Sequence, residues 1–210
     1  FSHGVYGKGD SKPVLERVTV RNAGGYAAVF DLGADPQVQG LAGFGNSSNA
    51  IYVAGGVLGT NRTWSYGELP IVLGDSLRVA ADATLTIAAG TRVKVVEGAW
   101  VAVNGTLRAL GTAAAPIVFT GVRDDEVGGD TNADGKATAP LPGDWEALYI
   151  ASGSRGSVLE WVELRNVGET NPRNTDARPA IEVEGGDLLL ANSRVTRAFS
   201  TAIHVLGGGA

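Results

Sequence analysis

The chain has 210 residues, a hydrophobic fraction of 44% and a formal net charge of −5 at pH 7. Its lysines and arginines are dispersed, so it lacks the basic stripe of a nucleic-acid interface, and we expect no nucleic-acid partner. No apolar run approaches the roughly 18 residues of a membrane span, which predicts no membrane insertion. Cysteine is absent, which excludes disulfides and thiolate metal sites.

The first repeat links residues 15–24 (LERVTVRNAG) with residues 159–168 (LEWVELRNVG). The two segments share Leu, Glu, Val, Arg, Asn and Gly at matching positions. A strand that recurs so far along a chain indicates a solenoid built from one repeated unit. Asn22, Asn166 and Asn192 each follow a repeat strand, as a stacked corner of asparagines would require.

A second repeat, A-I-x-V-x-G-G, begins at Ala50, Ala180 and Ala202. The spacing from Ile181 to Ile203 is typical of one solenoid coil. The alternation of apolar and polar residues predicts strands with one buried face, each ending at a glycine corner.

The middle of the chain predicts a shorter coil. Short β-rich runs there contain Leu85, Val101 and Ile117, which are evenly spaced at intervals shorter than that from Ile181 to Ile203. An antiparallel sandwich would also have short strands and glycine turns. Such a sandwich would not need like strands to recur at a fixed spacing. We therefore predict an all-β fold, a parallel β-helix, and a right-handed one because β-crossovers prefer that hand.

The predicted organisation is a single β-helix domain over residues 1–210. Polar segments rich in Gly, Pro, Asn and Asp predict protruding loop insertions near residues 121–143 and 169–178. We call the first of these the acidic loop. The repeat style changes near residues 59–67, which makes that segment a candidate module boundary.

The acidic loop has the sharpest chemical signal. Residues 130–135 (DTNADG) match the front half of an EF-hand-type calcium loop, in which oxygen ligands alternate and a glycine allows a sharp turn. The twelfth position is Leu141, so the usual bidentate glutamate is missing and another carboxylate must replace it. The other interpretation is a solvated acidic loop with Asx turns. The predicted Ca²⁺ ligands are the side chains of Asp130, Asn132 and Asp134 and the Lys136 carbonyl, completed by Asp124, Asp125 or Asp144.

The sequence gives little support for catalysis, and we predict no catalytic residue and no enzyme. Glu182 and Glu184 alternate with apolar residues and are expected to point outward, and the pair Glu160 and Glu163 is the other strand candidate. His204 occupies the same outward repeat position as Glu182, which predicts a surface residue. Four tryptophans either fill the solenoid or form a sugar-stacking platform, and they are Trp64, Trp100, Trp145 and Trp161.

Taken together, these motifs resemble bacterial cell-surface proteins with right-handed parallel β-helix repeats, a pectate-lyase-like solenoid. The residues that support the resemblance are 83–87 (ATLTI), 103–112 (VNGTLRALGT), 130–135 and 143–145 (GDW). The resemblance implies the fold and an extracellular setting. It implies little about activity, because that fold is used by polysaccharide lyases, hydrolases, adhesins and passive stalks alike.

Two functional hypotheses follow. The first is a structural extracellular β-solenoid module of a bacterial surface protein, a stalk, adhesin or head-to-tail filament, stabilised by Ca²⁺. Its partners would be neighbouring repeats or further copies, because residues 1–9 and 201–205 both resemble coil strands. The second is a polysaccharide-active enzyme or carbohydrate-binding β-helix, which carboxylates and aromatic residues gathered in one groove would favour.

Overall fold

In a computed structural model, residues 2–168 and 177–207 are described, and within them the chain forms short strands and no helix. The strands are three to six residues long. Their bounds are β1 Val5–Gly7, β2 Val14–Glu16, β3 Thr19–Arg21, β4 Tyr26–Phe30, β5 Gln37–Gln39, β6 Ala42–Phe44, β7 Ser48–Val53, β8 Gly56–Leu58, β9 Arg62–Trp64, β10 Ile71–Leu73, β11 Leu77–Val79, β12 Thr84–Ala88, β13 Arg92–Val95, β14 Val101–Val103, β15 Thr106–Leu110, β16 Ile117–Gly121, β17 Leu148–Ile150, β18 Ser157–Glu160, β19 Val162–Arg165, β20 Ile181–Glu184, β21 Leu188–Ala191, β22 Arg194–Thr196 and β23 Ile203–Leu206.

The described strands form three large parallel sheets, and neighbours within each sheet are three strands apart in the chain. The eight-stranded sheet has the order β1-β4-β7-β10-β13-β16-β19-β22. The six-stranded sheet is β23-β20-β17-β14-β11-β8, and the five-stranded sheet is β21-β18-β15-β12-β9. Two small parallel sheets, β2-β5 and β3-β6, belong to the first coils. This order is consistent with a parallel β-solenoid, as predicted.

Like residues stack along the interior. In the six-stranded sheet, Leu77, Val101, Leu148, Ile181 and Ile203 are successive partners in register. The first four are buried, and together with the inward residues of the other sheets they form one core cluster. The register Ile181–Ile203 confirms the coil length predicted from the A-I-x-V repeat. Removal of these apolar ladders from water is the main source of stability.

The shorter coil predicted from Leu85, Val101 and Ile117 is wrong. Leu85 pairs with Leu107 in the five-stranded sheet, at the same separation along the chain as Ile181 and Ile203. Val101 and Ile117 lie in the six-stranded and eight-stranded sheets, so the three evenly spaced residues belong to different faces. The even spacing arises because the three residues lie on every second strand, β12, β14 and β16, whereas stacked residues lie three strands apart.

The corners contain non-glycine residues in the left-handed conformation. Asn22, Asn166 and Asn192 have φ values of 56°, 57° and 51°. Asparagine tolerates this conformation better than most residues. The single asparagine ladder suggested by the sequence is wrong, however. The Trp161 N–H donates to the Ala191 carbonyl and the Asn166 N–H to the Thr196 carbonyl, so Asn192 and Asn166 belong to different corners.

The sheets change where the repeat style changes. The six-stranded and five-stranded sheets begin at β8 and β9, beside residues 59–67, whereas the eight-stranded sheet continues from β7 to β10. The acidic loop lies between β16, which ends at Gly121, and β17, which begins at Leu148. Most of the second predicted insertion, residues 169–176, lies outside the described residues.

Adjacent residues of β15 test the assignment of strand faces. Leu107 is fully buried, whereas Arg108 is exposed. We expect Leu107→Ala to lower the free energy of unfolding by about 2–5 kcal/mol, because it leaves a cavity in the core. Arg108→Ala should change it by less than about 0.5 kcal/mol. Urea unfolding measures both, and equal effects would contradict the proposed facing of this strand.

Candidate functional site

The acidic loop lies against the outer face of the eight-stranded sheet. Lys94 of β13 points outward from that sheet, yet its side chain is fully buried. Its Nζ donates a hydrogen bond of 2.7 Å to the Gly129 carbonyl of the loop. Gly128 packs so closely on Pro70 that a β-carbon there would lie 2.8 Å from the proline ring. The loop therefore covers part of the sheet instead of projecting freely into solvent.

A buried polar network anchors the start of the loop. Asp124 is 1% exposed, and its Oδ2 accepts a hydrogen bond of 2.8 Å from the Thr120 hydroxyl. The Asn166 amide donates to the same hydroxyl oxygen at 2.9 Å, and Arg165 Nη1 lies 3.8 Å from Asp124 Oδ2. Asp124 is thus engaged with the sheet and is balanced by a guanidinium.

A second anchor holds the end of the loop. The Arg123 guanidinium contacts Asp144 Oδ1 at 2.9 Å and Glu97 Oε2 at 2.6 Å. The buried Asp144 carboxylate also accepts a hydrogen bond from the Leu141 N–H at 3.1 Å. Burial raises the pKa of Asp144, although the hydrogen bonds from Leu141 and Arg123 oppose that shift. Next to it, Trp145 is completely buried and donates its indole N–H to the Arg165 carbonyl at 2.9 Å.

Between these anchors, three of the predicted ligands come together. Carboxylate oxygens of Asp125, Asp130 and Asp134 all lie within 4.8 Å of one another. Two oxygens bound to one Ca²⁺ at about 2.3–2.6 Å can be at most about 5 Å apart, so this separation fits one ion. The sharp turn of residues 130–135 produces the cluster, since the N–H groups of Asp134 and Gly135 donate to the Asp130 carboxylate at 3.3 and 2.8 Å.

Several oxygens at this cluster have no hydrogen-bond partner among the described residues. They are Oδ1 of Asp125, Oδ1 of Asn132 and Oδ1 of Asp134, and all three are shielded from solvent. Asp134 Oδ2, in contrast, accepts hydrogen bonds from the Asn132 amide and the Thr138 hydroxyl. Buried acceptors without donors are costly, and a bound cation would satisfy them. The residues present therefore fit a metal ion.

The predicted ligands thus separate into two groups. Asp125, Asp130, Asn132 and Asp134 lie at the cluster, whereas Asp124 and Asp144 are held by the anchors described above. Lys136 is exposed, and the described contacts do not place its carbonyl at the cluster.

Charge balance is also compatible with a divalent ion. Burial raises the pKa of Asp125, and the neighbouring Asp130 carboxylate adds to the shift. Lys94 is the cation that sequence reasoning missed, because a lysine on the outward face of a strand normally lies in water. The ammonium offsets one of the three clustered carboxylates, which leaves about two negative charges for an ion to neutralise.

The four tryptophans do not form one platform. Trp64 and Trp145 are core residues, and Trp161 occupies a left-handed corner with a φ of 50°. Trp100 immediately precedes β14 of the six-stranded sheet and lines a groove that also contains glutamates and arginines. A sugar-stacking role is therefore open to Trp100 and is excluded for the two buried rings.

The predicted strand carboxylates are also dispersed. Glu182 and His204 are neighbours in register on the six-stranded sheet. Glu163 lies on the eight-stranded sheet and is buried in ion pairs with Arg165 and Arg194. The two guanidiniums hold the pKa of Glu163 below its ordinary value against the effect of burial.

No protein-family model, curated protein or solved structure matches this chain. The bacterial family resemblance therefore stays a prediction from sequence motifs. The described residues include no helix with the length and hydrophobicity that a membrane crossing requires.

Lys94 gives the loop a distinctive pH dependence. Burial lowers the pKa of Lys94 to about 8, from 10.5 for an ordinary lysine. Between these two values the unfolded chain binds more protons than the folded chain, so stability rises with pH in that window. We expect urea unfolding in EDTA, at about pH 7.5, 8.5 and 9.5, to follow this rise in the native protein.

The matched variants replace one lysine each. Lys94→Met should lose the rise in stability with pH, whereas Lys136→Met, at an exposed lysine of the acidic loop, should retain it. An undiminished rise in Lys94→Met would show that other groups cause it.

Proposed function

We propose that this chain is a structural β-solenoid module of a bacterial extracellular or cell-surface protein, stiffened by Ca²⁺ bound in the acidic loop. Its role would be reach, adhesion or end-to-end assembly, without catalysis. The observation that supports this best is the uninterrupted stacking of parallel strands, eight deep in the largest sheet, around one apolar interior. The right hand of the coil is proposed from the general preference of β-crossovers.

The calcium proposal rests on the composition of the loop cluster. Three carboxylates and one amide oxygen are hard oxygen donors, of the type that Ca²⁺ prefers over softer ligands. A cation would neutralise mutual repulsion among the aspartates and fix a segment without strands to the solenoid. Nearby carbonyls and water would supply the remaining ligands that Ca²⁺ requires.

Calcium should stabilise the native protein measurably. Binding only to the folded state contributes about 2.7 kcal/mol when free calcium is about a hundred times Kd. Asp134→Asn should abolish most of this gain, because it removes one negative charge from the cluster. Asp82→Asn, at an exposed turn outside the loop, is the matched control and should respond like the native chain.

Unfolding in EDTA, excess Ca²⁺ and excess Mg²⁺ provides the measurement. Identical unfolding curves in all three solutions would refute a stabilising metal, and a response to Mg²⁺ alone would refute calcium as the ion.

End-to-end assembly is supported by the last described strand. Ile203 and Val205 of β23 continue the interior ladders, yet they are 42% and 69% exposed. A further coil placed on β23, from a continuation of the chain or from a second copy, would bury them and pair the edge of β23 that has no partner among the described strands.

We therefore expect sedimentation velocity to show association that increases with protein concentration. Val205→Lys should abolish the association, because it places a charge in the buried ladder. Val57→Lys, an outward residue of β8 that is 62% exposed, should leave it unchanged. A strictly monomeric native protein at high concentration would eliminate assembly from this proposal.

A further inference from the structure

A groove interrupts the outer face of the six-stranded sheet. In that face Arg78, Ala102 and Tyr149 are successive partners in register on β11, β14 and β17. The small Ala102 side chain forms a floor between two large neighbours. The strands on either side are about 10 Å apart, twice the strand spacing. The resulting groove has a volume of about 310 Å³, near the lower end of ligand-site volumes.

Two aromatic rings form its apolar walls. The Trp100 and Tyr149 ring centroids are 6.4 Å apart, and the planes meet at 73°. The Arg78 guanidinium lies 5.1 Å from the Trp100 ring centroid, which is a cation–π contact. Trp100 and Tyr149 are both partly exposed, so apolar ring surface remains available in the groove.

The polar groups of the groove are already held in place. Arg78 donates to Asn104 Oδ1 at 3.1 Å, and the Tyr149 hydroxyl donates to Glu146 Oε1 at 2.6 Å. The Arg178 guanidinium lies 3.7 Å from the same carboxylate oxygen. Side chains that are fixed before binding lose less entropy when a ligand arrives.

From this arrangement we infer that the groove binds a short stretch of a neutral polysaccharide. A sugar ring has an apolar C–H face for Trp100 and Tyr149 to cover, and hydroxyls that both donate and accept. The guanidiniums of Arg78 and Arg178 would donate to those hydroxyls, and the carboxylates of Glu146 and Glu182 would accept from them. Glu184 adds a third carboxylate, which disfavours acidic sugars.

This groove is separate from the calcium cluster, since it lies on the six-stranded sheet and the acidic loop covers the eight-stranded sheet. Sugar binding can therefore be tested without reference to the metal or to assembly. None of the groove residues named here is required to change a covalent bond, so the inference concerns binding and not hydrolysis.

The experiment is a titration of the native chain with cellohexaose, xylohexaose, mannohexaose and hexagalacturonate. It is followed by tryptophan fluorescence and by calorimetry. We expect at least one neutral hexasaccharide to bind with a Kd of about 0.1–1 mM, and hexagalacturonate to bind more weakly. Failure of all three neutral probes at about 10 mM, or preferential binding of hexagalacturonate, would overturn the inference.

Three variants locate the site. Trp100→Ala should weaken binding about tenfold, because it removes a large apolar wall. Ala102→Leu should weaken it similarly by filling the floor, while leaving every wall residue in place. Trp161→Ala alters a tryptophan that lines a different cavity, beside Glu163 and Arg194, and should leave Kd within about twofold.

Circular dichroism melts confirm that each variant is folded. Full affinity in both groove variants, or loss of binding in Trp161→Ala, would place the sugar elsewhere on the molecule.

Discussion

Hydrogen bonding between successive coils is the constraint on which the rest of the structure depends. No described strand exceeds six residues, and strands this short are not stable alone. β12, for example, pairs with β9 on one side and β15 on the other. Each coil must therefore keep its register with both neighbours, and that register places like apolar residues above one another. Leu85 over Leu107 is a consequence of this pairing.

The same constraint decides where chemistry can occur. Interior positions are committed to apolar ladders, so charged and aromatic groups are restricted to outward positions, corners and insertions. The acidic loop illustrates the cost of an insertion, because it must satisfy its own polar groups without strand pairing. Asp144 does so through Arg123, and Asp124 does so in part, because its Oδ2 accepts from Thr120 while its Oδ1 has no partner among the described residues. Within the described part of the chain, Asp125, Asn132 and Asp134 keep acceptor oxygens without hydrogen-bond donors, and these three residues lie together, which is why the loop is the candidate metal site.

The sequence predicted the existence of parallel strands, but it did not predict which sheet each strand would join. The copies at residues 15–24 and 159–168 share a pair of left-handed corners, Arg17 with Asn22 and Trp161 with Asn166, yet they lie in different sheets. A repeat therefore encodes a strand followed by a corner, not a face of the solenoid. The aspartate cluster was predictable because its residues are close in the chain. Lys94 lies on β13, well before the acidic loop that follows β16, and only the fold brings it to Asp125.

The groove on the six-stranded sheet was unpredictable for a related reason. Trp100 and Tyr149 lie on adjacent coils, but the whole acidic loop lies between them in the chain. An insertion leaves the stacking of a solenoid intact while it removes any regular spacing from the sequence. Neighbouring outward residues on either side of an insertion therefore carry no local motif. In a fold of this kind, the outward residues of paired strands must be compared in register. Such a comparison finds the small Ala102 between Arg78 and Tyr149, and so finds a groove that the spacing of residues along the sequence does not reveal.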